Sequence, residues 1–124
     1  MVTVEAPRDN SKVAQTLESE GLGRILLVDG DGAKDCALLG DRLAELAVRN
    51  GWAGIVVNGC IRDSRIIASM PIGVMALACF PRKTEKKGLG SLNKDLNLYG
   101  VTISAGDYLY ADPDGIIISG EILI

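Results

Sequence analysis

Residues 50–63 read NGWAGIVVNGCIRD, and this stretch decides the fold that the sequence predicts. The run at residues 55–57 is continuously apolar, which is typical of a strand covered on both faces. We expect a turn from Asn58 to Asp63 after this strand, leading into a short helix that extends through Ala68. Two adjacent charges, Arg62 and Asp63, therefore follow a buried strand at its carboxyl end, where open α/β sheets place their ligands.

Strands and helices alternate through the rest of the first half. Strands are predicted over residues 2–6, 25–28 and 74–79, and helices from residues 9–11 to Gly21 and over residues 37–50. Residues 81–93 are polar and basic, and we interpret them as a surface loop, named here the basic loop. Hairpin strands follow over residues 96–98, 101–103, 108–110 and 116–118. This order favours a single α/β domain with mixed sheets and outer helices.

The composition excludes several classes of function. The chain has 124 residues, a formal net charge of −3 and no histidine. Ser-His-Asp and Cys-His catalysis, histidine metal clusters and phosphohistidine carriers are therefore excluded, and proton transfer must use carboxylates, Lys, Tyr, Cys or water on a metal. The acidic balance gives no electrostatic reason to bind nucleic acid or an anionic membrane. Three cysteines without Cys-x-x-Cys spacing suit reduced thiols, so we expect a cytoplasmic protein.

Two turns resemble ligand-binding motifs only in part. Gly30-Asp31-Gly32 follows a strand like a dinucleotide fingerprint, but Asp35 stands where the third glycine belongs and would repel a pyrophosphate. The stretch from Asp112 to Gly115 starts like a calcium loop but lacks the downstream ligands. We interpret the first as a tight β-to-α turn and the second as a hairpin turn.

The basic loop and the cysteines also have ordinary explanations. The loop cations are not interleaved with aromatic residues, so we favour a solvated loop over contact with RNA or an acidic partner. These cations are Arg82, Lys83, Lys86 and Lys87. Cys60 lies near Arg62, but without a histidine base it is better explained as a small core residue than as a nucleophile.

The strongest candidate site is a set of three charged residues. Arg62 and Asp63 follow one predicted strand, and Asp41 lies near a helix start in the preceding β-to-α connection. Connections from neighbouring strands end on the same edge of a sheet, so the three side chains are expected to converge. The residues alone leave two interpretations open. The set is either a ligand site, or a structural ion pair such as Arg62 with Asp41 that joins two loops.

Several ungapped blocks, in order, resemble the RraA-like family. They are residues 24–30, 37–41, 50–63, 81–83, 100–103, 106–107 and 110–117. That family includes the regulator of ribonuclease E activity A and the class II 4-hydroxy-4-methyl-2-oxoglutarate/4-carboxy-4-hydroxy-2-oxoadipate aldolases. The resemblance implies a swivelling β/β/α-type fold over residues 1–124, assembled as a homotrimer or a dimer of trimers with sites between subunits.

The resemblance also implies roles for individual residues. The aldolase signature in this family is an Asp, twenty intervening residues and then Arg-Asp, which Asp41, Arg62 and Asp63 match. The branch that inhibits ribonuclease E often loses the second acid. By this resemblance Asp63 holds Mg²⁺ or another divalent cation such as Mn²⁺, and Arg62 binds substrate. The stretch Gly40-Asp41-Arg42-Leu43 would cradle a keto-acid carboxylate, and Asp41 would orient or deprotonate a water on the metal.

The activity implied by the resemblance is that of a metal-dependent lyase. Its substrates would be 4-hydroxy-4-methyl-2-oxoglutarate-type keto acids, cleaved to pyruvate and a second keto acid, with oxaloacetate decarboxylation as a side activity. The alternative is a non-catalytic RraA-type binding protein that regulates ribonuclease E or a helicase.

Both ends of the sequence differ from the family pattern. Relatives usually carry a helical segment and a glycine-rich stretch ahead of the strand at Val2, so we expect an apolar face to be left uncovered. Family aldolases often have a C-terminal extension that brings an acid into a neighbouring subunit's site, whereas this sequence ends at Ile124.

Overall fold

Ten strands and three helices follow one another in the computed structural model, which describes residues 1–124. The strands are β1 (Val2–Glu5), β2 (Ile25–Asp29), β3 (Ala37–Leu39), β4 (Gly54–Ile61), β5 (Gly73–Cys79), β6 (Ser91–Leu92), β7 (Leu96–Leu98), β8 (Val101–Ile103), β9 (Tyr108–Asp112) and β10 (Gly115–Ser119). The helices are α1 (Ser11–Leu17), α2 (Asp41–Arg49) and α3 (Ser64–Ala68).

The long strand β4 organises a six-stranded mixed sheet. On one side it pairs in parallel with β5, and on the other with β2 along its first half and with β3 at its carboxyl end. Strand β1 extends the sheet in parallel beyond β2, and β6 closes that edge in the antiparallel direction. Two antiparallel hairpins, β7–β8 and β9–β10, lie outside this sheet. The expectation of mixed sheets is confirmed.

The two faces of the sheet are covered by different elements. Leu26 and Val28 of β2 point to the main core, which also contains Val13 of α1 and Ala44 of α2. Leu27 points to the opposite face and packs with residues of the β7–β8 hairpin. Successive side chains of β2 thus contact a layer of helices on one face of the sheet and a layer of hairpins on the other. The expected β/β/α arrangement is confirmed.

Three segments differ from the sequence predictions. Residues 37–39 form strand β3 rather than the first turn of a helix, because all three are buried and pair with the end of β4. Residues 58–61 belong to β4 rather than to a turn, because β3 and β5 continue to pair with them. The basic loop is not wholly a surface loop, since Thr84 is buried and residues 91–92 form β6.

The helices are short, and none is long and apolar enough to cross a membrane. All three cysteines are free thiols. Cys36 and Cys60 are buried as small core residues, and burial raises the pKa of the Cys36 thiol, to which the charge of Asp35 also contributes. Cys79 lies on β5 and is exposed.

Candidate active site

The predicted site residues converge because β3 and β4 are parallel neighbours. Ala37 pairs with Cys60, so the two strands end at the same edge of the sheet. Gly40 then starts α2 directly after β3, and Arg62 and Asp63 follow β4. The backbone N–H of Arg62 donates to the carbonyl of Leu39 at 2.9 Å, which ties the two connections together.

The carboxylate of Asp63 caps the start of α2. Its Oδ2 accepts the backbone N–H of Asp41 at 3.1 Å, while Oδ1 accepts no hydrogen bond. Asp63 itself has a left-handed backbone, with φ 58° and ψ 34°, at the position preceding α3. Aspartate adopts this conformation more readily than most residues. Asp63 therefore joins two helix starts and keeps one carboxylate oxygen free.

Arg62 lies beside this carboxylate rather than beside Asp41. Its Nε is 3.9 Å from Asp63 Oδ2, and the Arg62–Asp41 ion pair considered as an alternative does not form. A Cβ atom on Gly40 would lie 3.0 Å from Arg62 Nε and 3.1 Å from Asp63 Oδ2. The glycine thus permits the close approach of both charged side chains to the start of α2.

The first turn of α2 offers free hydrogen-bond donors. The backbone N–H groups of Arg42 and Leu43 donate to no atom of the chain, whereas that of Ala44 donates to the carbonyl of Gly40. Free N–H groups and the positive end of the helix dipole favour an anionic ligand here.

Arg62 and the start of α2 line a polar cleft of about 530 Å³, and Asp63 lies beside it, bonded to the backbone N–H of Asp41. The lining residues come from the start of α2, from Arg62 and from the basic loop: Asn10, Ala37, Gly40, Asp41, Arg42, Leu43, Arg62, Lys83, Thr84, Glu85 and Lys86. The sequence predicted that Arg62 and the start of α2 belong to the site, but not that the basic loop does. The charge of the loop was visible, but its position depends on a parallel bridge between Lys83 and Ala37, which residue spacing does not predict.

A buried carboxylate holds the basic loop in place. Asp9 is 1 % exposed, and it accepts the backbone N–H groups of Lys87 at 2.6 Å and Leu89 at 3.1 Å as well as both donors of Ser11. Burial alone would raise the pKa of Asp9, but the bonds from Ser11, Leu89 and Lys87 outweigh it and lower the pKa to about 2. Thr84 adds a hydrogen bond to Asn10 Oδ1 at 2.8 Å.

The donor set suits a hard divalent cation with few protein ligands. Asp63 Oδ1 accepts no hydrogen bond. The carboxylate of Asp41, at the start of α2, accepts none either. No group of three or more His, Cys, Asp or Glu side chains is assembled for a metal anywhere in the chain. Mg²⁺ needs only one or two carboxylates because it keeps several waters or takes substrate oxygens, so these residues fit it.

Comparison with known proteins identifies the family. The family model RraA-like, described as Aldolase/RraA, matches residues 1–118. The chain belongs to the RraA-like family. This RraA-like chain is also 54 % identical over 123 residues to a protein of Ectopseudomonas mendocina (strain ymp), provisionally named 4-hydroxy-4-methyl-2-oxoglutarate aldolase. That alignment covers 99 % of this chain and 76 % of the relative.

Two solved structures share the fold of this RraA-like chain closely. The RNA-processing inhibitor RraA from Thermus thermophilis has a TM-score of 0.94 at 42 % identity, covering 97 % of this chain and 73 % of that one. A structure from Geobacillus kaustophilus HTA426, described as an S-adenosylmethionine:2-dimethylmenaquinone methyltransferase, has a TM-score of 0.95 at 45 % identity, covering 98 % and 76 %. These relatives carry three different functional names, so the function must be argued from the site.

Proposed function

We propose that this RraA-like chain is a divalent-metal-dependent lyase. It cleaves 4-hydroxy-4-methyl-2-oxoglutarate-type keto acids to pyruvate and a second keto acid, with oxaloacetate decarboxylation as a side activity. The observation that carries the proposal is that Arg62 and the unbonded N–H groups of α2 meet at one cleft, with Asp63 and its free carboxylate oxygen directly beside Arg62. Relatives about 50 % identical carry the aldolase name.

The substrate's keto-acid carboxylate would bind at the start of α2. The N–H groups of Arg42 and Leu43 are free to donate to it. The terminal guanidinium nitrogens of Arg62 have no acceptor in the chain, so they are free to donate beside the keto oxygen. The planar fork of an arginine suits two oxygens of one ligand better than a lysine does.

Asp63 would hold Mg²⁺ or Mn²⁺ through its free Oδ1. A cation bound there supplies Lewis-acid stabilisation of the negative charge that develops on the substrate's keto oxygen. The hydrogen bond from Asp41 N–H to Oδ2 fixes the orientation of the Asp63 carboxylate and leaves Oδ1 available.

The proton transfer is assigned to Asp41. Its carboxylate has no hydrogen-bond partner in the chain, so it is free to take the proton of the substrate's C4 hydroxyl through a water. As that proton leaves, the C3–C4 bond breaks, C4 becomes the carbonyl carbon of the second keto acid, and the electron pair forms the pyruvate enolate. Arg62 stabilises the enolate oxygen, and a proton delivered to C3 gives pyruvate. Loss of CO₂ from oxaloacetate produces the same enolate.

The deciding experiment measures pyruvate release from 4-hydroxy-4-methyl-2-oxoglutarate with Mg²⁺ and then with EDTA. Asp63→Asn should lose at least a hundred-fold in kcat, because it removes the charge that holds the cation while keeping an oxygen to cap α2. Asp31→Asn is the matched control, because Asp31 is also exposed and left-handed, at φ 56°, but lies in the turn after β2. Turnover that survives EDTA or Asp63→Asn would contradict the metal assignment.

The second candidate is a non-catalytic binding protein that regulates ribonuclease E or a helicase. It is favoured by the 42 % identity with the Thermus protein, whose name is that of an RNA-processing inhibitor. The two candidates predict different results in the same assay. A folded protein that releases no pyruvate, but inhibits ribonuclease E cleavage of an RNA substrate, would support the second.

We also propose that the chain assembles as a homotrimer. The support is an apolar surface formed by the edge strand β5 and the β9–β10 hairpin, where Leu77, Ile116 and Ile117 are exposed. Monomeric soluble proteins rarely expose a contiguous apolar area of this kind.

A further inference from the structure

Two lysines of the basic loop face the candidate active site without a partner. Lys83 and Lys86 line the same cleft as the start of α2, and neither forms an ion pair within the chain. Lys87, in the same loop, does not line this cleft and lies 3.8 Å from Glu85. Of the four cations in the loop, two without an ion-pair partner therefore line the cleft, whereas Arg82 and Lys87 do not.

The cleft has more positive charge than one carboxylate requires. Its lining includes four cations, from Arg42, Arg62, Lys83 and Lys86, and two acids, Asp41 and Glu85, and a third acid, Asp63, lies 3.9 Å from Arg62. Glu85 lies against Lys87, so its charge is partly offset outside the cleft. In a chain whose net charge is −3, this local excess favours an anion with more than one negative charge.

The basic loop and β4 lie on either side of β3, because Ala37 pairs with Cys60 and also forms a bridge with Lys83. The lysines are on a segment whose backbone is fixed by the Asp9 carboxylate and by the Thr84–Asn10 hydrogen bond. Binding an anion there costs little ordering of the loop, because its backbone is already in place. A cleft of about 530 Å³ is large enough for a small dicarboxylate that extends from one side to the other.

We propose that Lys83 and Lys86 bind the second carboxylate of the substrate, the one remote from the keto group, and so select dicarboxylate over monocarboxylate 2-keto acids. This inference rests on the proposed function for its substrate. Lys83 and Lys86 are specificity-determining residues that act on binding rather than on bond cleavage.

The test compares two substrates that differ in the second carboxylate. 4-Hydroxy-4-methyl-2-oxoglutarate has it, whereas 4-hydroxy-2-oxopentanoate undergoes the same C3–C4 cleavage without it. The double variant Lys83→Gln/Lys86→Gln should raise KM for the first substrate about ten-fold or more, change KM for the second less than two-fold, and leave kcat for both near the wild-type value. Lys34→Gln is the control and should leave both KM values unchanged, because Lys34 is exposed, forms no ion pair and does not line the cleft. Equal effects on the two substrates, or no effect on either, would overturn the proposal.

A binding measurement separates this inference from the proposed activity. Calorimetric titration of the protein with 2-oxoglutarate and with pyruvate requires no turnover. Tighter binding of 2-oxoglutarate, with that preference lost in the double variant and kept in Lys34→Gln, would support the second-carboxylate site even if no pyruvate is released from any substrate. Equal binding of the two ligands by the wild-type protein would overturn it, whatever the outcome of the activity assay.

Discussion

At the scale of single residues, Asp63 combines two requirements that a substitution can separate. Its carboxylate caps α2, and its backbone is left-handed at φ 58°. We predict that Asp63→Ala lowers the free energy of unfolding by about 2 kcal/mol, since it loses the cap and places an alanine in the left-handed region. Asp63→Asn keeps an acceptor oxygen and tolerates that backbone, so its unfolding free energy should stay within about 0.5 kcal/mol of wild type.

Urea unfolding of the two variants and the wild type measures this difference. It also shows which variant suits the activity assay, because lost turnover in Asp63→Ala would mix a metal effect with a local packing effect. Equal destabilisation by Ala and Asn would contradict the capping role of Asp63.

Gly40 is the second residue whose substitution isolates a site effect. Its φ of −127° is open to any residue, so Gly40→Ala causes no backbone strain. The added methyl would instead press on Arg62 Nε and Asp63 Oδ2, at 3.0 and 3.1 Å, and these side chains must move. We predict a loss of at least ten-fold in kcat/KM, about 1.4 kcal/mol, with an unfolding free energy changed by less than about 1 kcal/mol. Gly115→Ala, where a Cβ meets no atom within 4 Å, is the control.

The sequence predicted the part of the site that depends on local order along the chain. Asp41, Arg62 and Asp63 each follow directly from a strand or start a helix, so their positions at one sheet edge could be predicted. Lys83 and Lys86 could not be placed, because their position depends on the bridge of Lys83 to Ala37 and on bonds to residues more than 70 positions earlier, such as that of Lys87 N–H with Asp9.

At the scale of elements, the same long-range bonds explain why the basic loop is ordered. Asp9 lies where the sequence predicts the start of the first helix, and it does bond Ser11 at the start of α1. Its second oxygen, Oδ2, accepts two N–H groups of the loop, which no pattern near residue 9 indicates. Strand β3 was mispredicted as helix for a similar reason: its three apolar residues fit either structure until β4 pairs with them.

The lowered pKa of Asp9 gives a pH dependence of stability with a definite sign. The pKa falls from its usual 3.8 to about 2 in the folded chain, so the ionised carboxylate stabilises the fold above about pH 4. That contribution, about 2 kcal/mol, is lost as the pH falls from about 4 through 2. We predict that Asp9→Asn lowers the unfolding free energy by about 2 kcal/mol at pH 6 and by much less at pH 2.5.

Urea unfolding of wild type and Asp9→Asn at pH 6 and pH 2.5 tests this prediction. Asp95→Asn is the control, because Asp95 is exposed and its substitution should have no effect at either pH. A difference between wild type and Asp9→Asn that is the same at both pH values would show that the stabilisation does not come from the ionised carboxylate.

At the scale of the whole molecule, the polar site and the apolar surface occupy different parts of the fold. The site lies at the carboxyl ends of β3 and β4, whereas the apolar surface lies between β5 and the β9–β10 hairpin. β5 pairs with β4 alone, so its outer edge has unpaired backbone groups as well as exposed apolar side chains. An edge of this kind is normally covered, and a second copy of the chain would cover it in the proposed trimer.

Ile117 offers the sharpest test of that assembly. It is 60 % exposed on β10 and lines two adjoining apolar depressions beside β5. Light scattering coupled to size-exclusion chromatography should give three times the monomer mass for the wild type. It should give a smaller mass for Ile117→Asp, because a buried unpaired carboxylate costs several kcal/mol at each interface. Leu22→Asp is the matched control, because Leu22 is 74 % exposed outside this surface and its left-handed backbone, φ 54°, suits an aspartate. A monomeric wild type would contradict the trimer, and a trimeric Ile117→Asp would place the subunit interface on another surface.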